Sequence, residues 1–139
     1  MKLPGALQRL LEHRAGERCE YCRMHQALQG ATFHVEHVIP RNQGGDDNLE
    51  NLAWACPGCN LHKSDRIDAR DPQTGQVIPL FNPRADQWPE HFDWNRYEII
   101  ALTPIGRATL RTLQMNAPRK ILIRQAEELF ALFPPDGAN

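Results

Sequence analysis

Cys19-Glu20-Tyr21-Cys22 and Cys56-Pro57-Gly58-Cys59, with 33 residues between them, hold all four cysteines of this 139-residue chain. Each short turn aims two sulfurs at one point, so two such units suit a tetrahedral zinc ion held by four thiolates. A redox role would account for one CxxC unit but not for two matched ones with no cysteine left over. Disulfides fit poorly, because Met1-Lys2-Leu3-Pro4-Gly5 lacks the apolar stretch of a secretory signal. The expected compartment is therefore the cytoplasm, where thiols stay reduced. The reading is a structural zinc site of Cys19, Cys22, Cys56 and Cys59. Its spacer is longer than a compact zinc ribbon needs, so a further unit is inserted between the knuckles.

That insert reads as a hairpin. Residues 32–39 (Thr-Phe-His-Val-Glu-His-Val-Ile) are rich in β-branched and aromatic residues and predict a strand stopped by Pro40. Residues 41–50 form a polar loop with Gly44-Gly45 at its bend, and 51–55 predict a short returning strand that delivers the second knuckle. Residues 59–66 have helical composition without a breaker. Upstream, Leu7, Leu10 and Leu11 share one face of a helix over 7–15, and a second short helix is indicated around 24–29.

Downstream, Asp71-Pro72-Gln73-Thr74-Gly75 has turn chemistry and leads into a strand over 76–81. Residues 82–94 read as an irregular packed segment whose Trp88, Phe92 and Trp94 serve packing. A strand over 97–102 follows. Thr103-Pro104 then caps a helix running to about Met115. Pro118 opens a last helix with Leu122, Ala126, Leu129, Phe130 and Phe133 on one face, stopped by Pro134-Pro135. That face either covers the core or pairs two copies, so monomer and homodimer both stay open. The expected class is α+β: a zinc-stabilised core over 1–70 and a strand-plus-two-helix extension over 71–139 packed on it as one compact unit.

Composition excludes some classes. At 41% hydrophobic and 24% charged the chain is neither disordered nor collagen-like. No apolar run exceeds five residues, so no membrane span is expected. Sixteen Lys plus Arg against 17 Asp plus Glu leave nucleic-acid binding to local patterning. One such pattern lies between Ile99 and Ala126, which contains Arg107, Arg111, Arg119, Lys120 and Arg124 and no acid. Arg107 and Arg111 are four apart and share a helix face, which suits either a phosphate or solvent.

Glu36-His37-Val38-Ile39-Pro40, Gly44-Gly45, Asn51-Leu52, the Cys56–Cys59 knuckle, Asn60 and Lys63 together resemble the HNH endonucleases, which carry the ββα-metal fold. The intervals of 14 from His37 to Asn51 and 23 from His37 to Asn60 are those of HNH domains whose third signature residue is Asn. Asp71-Pro72 to Gly75 and residues 102–107 are similar in texture to stand-alone bacterial HNH proteins. The resemblance implies that His37 is the general base, that Glu36 and Asn60 hold one catalytic divalent ion, and that Asn51 ties the loop and orients His37. It makes Lys63 a neighbour of phosphate. His34, on the face of Glu36, and His62, two residues past Asn60, are further candidate contacts to nucleic acid, as are Arg107 and Arg111. Glu36 stands where the family more often carries Asp or His.

The chemistry suits these residue types. A neutral imidazole, with its ordinary pKa near ~6.5, is available as a base at cellular pH. A carboxylate and an amide oxygen favour Mg²⁺ or Mn²⁺, while zinc prefers the thiolates. Successive strand residues point to opposite faces, so Glu36 and His37 are expected to look in different directions unless the strand end is distorted. The sequence therefore points to a metal-dependent endonuclease cutting or nicking double-stranded DNA with weak sequence preference. The alternatives are a non-catalytic zinc-stabilised nucleic-acid binder and a partner-binding zinc module.

Overall fold

The computed structural model describes residues 4–135 of the chain. Helix α1 (Gly5–Arg14) leads into the first knuckle. A hairpin of β1 (His34–His37) and β2 (Leu52–Ala55) follows, then α2 (Pro57–Lys63). The remaining elements are β3 (Asp68–Arg70), β4 (Val77–Pro79), α3 (Trp88–His91), β5 (Phe92–Asn95), β6 (Glu98–Ala101), α4 (Pro104–Thr112) and α5 (Pro118–Leu129). The strands form three separate antiparallel pairs, β1 with β2, β3 with β4 and β5 with β6. The arrangement is α+β, and its β1–β2–α2 unit has the ββα form.

The expected β1 shortens to four residues, placing His34 opposite Ala55, Glu36 opposite Ala53 and His37 opposite Leu52. One further ladder bond, from Val38 N–H to Asn51 O (2.9 Å), closes the strand before Pro40, which has no N–H to offer. The loop beyond turns through Gly44, at φ +90°, and Gly45, where an added Cβ would lie 1.6 Å from the Ile39 carbonyl oxygen. Only glycine lets the loop return that closely. Helix α2 starts earlier than residue 59. Cys56 is its N-cap, its sulfur accepting from Cys59 N–H (3.4 Å), and Pro57 occupies the first turn, where no donor is needed. The second knuckle is thus the first turn of the helix.

A single apolar cluster, including Leu11, Tyr21, Leu52, Trp54, Phe81, Trp88, Phe92 and Met115, runs through both halves of the chain. Trp88 joins them directly, its indole N–H donating to the Tyr21 carbonyl at 2.8 Å while its ring packs 5.0 Å from Phe92. The extension is richer than a strand and two helices. The segment 82–94, expected to be irregular, contains α3 and β5, and β3 forms where no strand was anticipated. The aromatics that broke the apparent pattern there are the residues that pack.

The last helix departs most from expectation. Leu122, Leu129 and Phe130 are 64%, 84% and 65% exposed, whereas Lys120, Arg124 and Glu127 are buried. Of the expected apolar face, Phe133 is packed in, 5.1 Å from the Trp94 ring. No helix among the described residues is long and apolar enough to cross a membrane.

Candidate active site and zinc centre

The four cysteine sulfurs are buried and lie within 4.8 Å of one another. Among the described residues they are the one group of three or more His, Cys, Asp or Glu side chains so placed. Cys22 and Cys56 sulfurs are 3.7 Å apart, and a tetrahedron with Zn–S of about 2.3 Å separates its sulfurs by about 3.8 Å. The donor set and its size therefore fit zinc.

Four thiolates around Zn²⁺ carry a net charge near ~−2, costly to bury without a countercharge. Helix α5 supplies it. Lys120, 7% exposed, donates from Nζ to the Cys59 sulfur at 3.3 Å. Burial opposes its charge, yet the thiolates hold its ammonium pKa above the ordinary value. One turn on, Arg124 donates to the carbonyls of Cys22 (3.2 Å) and Met115 (2.7 Å). Another turn on, Glu127 accepts from His25 N–H at 2.9 Å. Burial raises its carboxyl pKa to about 7, against the pull of that bond and of Arg18. The sequence reading missed this set, although residues 120, 124 and 127 have the i, i+4, i+7 spacing of one helix face.

The second centre lies between β1, the loop and α2. Asn51 ties the loop: its Oδ1 accepts from Ile39 N–H (2.9 Å), and its Nδ2 donates to the carbonyls of Ile39 (3.0 Å) and Asp46 (2.8 Å). The bond that orients the His37 ring, however, comes from Asp47, whose Oδ1 is 2.7 Å from His37 Nε2. Arg41 holds Asp47 in turn, with Nε 3.0 Å from Oδ1 and Nη2 2.9 Å from Oδ2. The His37 contact foremost, and then the bonds from Arg41, hold the Asp47 carboxyl below its ordinary pKa. Asp47 was not singled out from sequence; an acid in a polar loop carries no signal until its loop is folded.

Glu36 faces the other way, as strand alternation requires. It is 3% exposed, its Oε2 accepting from the Tyr21 hydroxyl (2.6 Å) and its Oε1 2.5 Å from Lys63 Nζ. Burial raises the Glu36 pKa, while the Lys63 ammonium and the Tyr21 hydroxyl pull it back. Lys63, expected beside phosphate, is itself 1% exposed and donates to the Val38 carbonyl at 2.9 Å. The ammonium and Oε1 are close without the alignment of a hydrogen bond, which leaves Oε1 a buried acceptor without one. Asn60 lies one turn before Lys63 on α2, and its side chain has no hydrogen-bond partner among the described residues. Glu36 Oε1 thus faces the Lys63 ammonium, while the Asn60 amide on α2 keeps its hydrogen-bonding capacity open.

The other candidates fall into two groups. His34 is exposed at the start of β1, and His62 is half-buried on α2. Arg111 is exposed on α4. Arg107 is committed to protein: its guanidinium grips the buried Asp71 by two bonds of 2.9 and 2.8 Å. Asp71 also accepts from Gln73 N–H, so the turn read from sequence is locked to α4 by an ion pair that spacing did not reveal.

Residues 19–66 match the family model described as HNH endonuclease, a span that contains both the knuckles and every residue of the second centre. Neither the curated proteins nor the solved structures hold a match to the chain.

Proposed function

We propose, from the premise that residues 19–66 belong to the HNH endonuclease family, that this chain hydrolyses phosphodiester bonds of double-stranded DNA with His37 as general base. The observation that carries the reading is the His37–Asp47 contact within that segment. An ionised carboxylate only accepts hydrogen bonds, so Nε2 must carry the ring proton and Nδ1 is left as the basic nitrogen. Asn51 holds the loop from which Asp47 acts. Glu36 and Asn60 would hold Mg²⁺ or Mn²⁺, which when bound neutralises charge developing on phosphate and leaving oxygen. Lys63 meanwhile keeps the Glu36 carboxylate paired and anchors the backbone beside His37. Phosphate contacts through a small basic surface imply weak sequence preference. Four thiolates reserved for zinc suit the reducing cytoplasm.

Purified protein incubated with supercoiled plasmid and Mg²⁺ or Mn²⁺ tests this beside His37→Ala with its zinc content measured. Loss of a general base lowers the rate roughly 10²- to 10⁴-fold, so wild type should give nicked or linear DNA and the zinc-loaded variant almost none. The engagement of Glu36 by Lys63 and Tyr21 favours one second reading, a zinc-stabilised nucleic-acid binder. DNA binding by wild type without cleavage in any divalent metal would select it.

A further inference from the structure

Where the end of the matched segment meets the extension, helix α2, the β3–β4 hairpin and the end of α4 line an open cleft of about 860 Å³. His62 comes from α2, Arg66 from the turn after it, Arg70 from β3 and Arg111 from α4. Two acids face the same cleft, Asp68 and Asp71. The charge of Asp71 is matched by Arg107, so Asp68 alone opposes the three arginines.

Several arginines elsewhere are ion-paired: Arg18 with Glu127, Arg41 with Asp47, Arg84 with Glu20 and Arg107 with Asp71. The three in the cleft are not. Arg66 and Arg111 are exposed and their guanidinium groups have no partner among the described residues. The guanidinium of Arg70 donates to the Gly75 carbonyl (2.8 Å), a contact that leaves its charge unopposed. Three guanidinium groups from separate elements, with an imidazole among them, converge in a chain whose net charge is −1. Such like charges repel unless an anion lies between them, and a run of phosphates is the anion that reaches all of them at once.

We propose that this cleft is a docking surface for the backbone of the nucleic-acid substrate, gripped by Arg66, Arg70 and Arg111 beside α2. The proposal rests on the nucleic-acid reading above. It gives the extension a task in that reading: the β3–β4 hairpin, fastened to α4 through Asp71 and Arg107, builds the outer wall of the substrate path. His62 lines the cleft on the helix that also carries Asn60. The contacts are to phosphate, so they position the strand without reading its sequence.

Binding of a fluorescein-labelled 20-base-pair duplex, followed by anisotropy across a salt series without divalent metal, tests the assignment. The variant Arg66→Gln/Arg111→Gln removes two exposed charges with no internal partner. Arg9→Gln/Arg96→Gln removes the same charge from exposed positions outside the cleft. The expected result is a Kd raised on the order of tenfold for the cleft variant and a log Kd–log salt slope smaller by about 1.8, since each phosphate contact contributes about 0.9. The control should stay close to wild type. Equal loss in both variants, an unchanged slope in the cleft variant, or no duplex binding by wild type overturns the cleft. Plasmid cleavage at saturating enzyme separates the two readings. A wild type that cuts while the cleft variant binds normally keeps the nuclease and rejects the cleft. A wild type that binds through the cleft arginines and never cuts keeps the cleft and rejects the nuclease.

Discussion

The loop beside His37 and the zinc centre handle polar groups over different ranges. At the loop the partners are near in sequence: Asn51 reaches Ile39, 12 residues away, and His37 reaches Asp47, 10 away. At the zinc centre they are far: Lys120 reaches Cys59 across 61 residues and Arg124 reaches Cys22 across 102. The near contacts shape a loop and a ring orientation, which a short motif can specify. The far ones neutralise a charge, and any cation at the right place in space would serve. Chemistry that resides in a motif can be read by spacing, whereas electrostatic support from another helix cannot.

The comparison is sharpest at the zinc centre. If α5 is part of that centre, Lys120→Met should raise the rate of zinc transfer to a chromogenic chelator by roughly 10- to 100-fold, the range found for partners just outside a metal's ligands. Arg119→Met, its exposed neighbour, should leave the rate unchanged. Equal rates for the two variants would make the extension a mere cover.

At the loop the expected effect is smaller. Asp47→Ala frees the His37 ring, and the saturating cleavage rate should fall roughly tenfold or more while the Kd for DNA stays put. Partial recovery in Asp47→Glu would mark a positioning role. Parallel loss of rate and affinity would place Asp47 on the substrate instead.

The smallest effect belongs to the exposed side of α5. Leu129→Ser and Phe130→Ser should each shift unfolding stability by no more than about 0.5 kcal/mol in dilute protein, the ordinary range for surface positions. A loss of 2 kcal/mol or more, the large-to-small core range, would show that a second copy or another segment covers this face. Sedimentation at increasing concentration would tell which.

The four-cysteine cluster was open to sequence reading because two CxxC turns each aim two sulfurs at one point. The ββα core and the loop-tying role of Asn51 were legible only through the family resemblance that the short intervals from His37 to Asn51 and Asn60 carry. Tertiary structure decided the rest. It turned Glu36 inward onto Tyr21 and Lys63, because adjacent strand residues face opposite sides and one of those sides is the core. It assigned His37 to Asp47, one of several acids in a polar loop. It also reversed the apparent polarity of α5, since periodicity assumes that burial means apolar burial. Here the helix meets a cluster of thiolates, and against that surface a lysine and an arginine are the residues that belong inside.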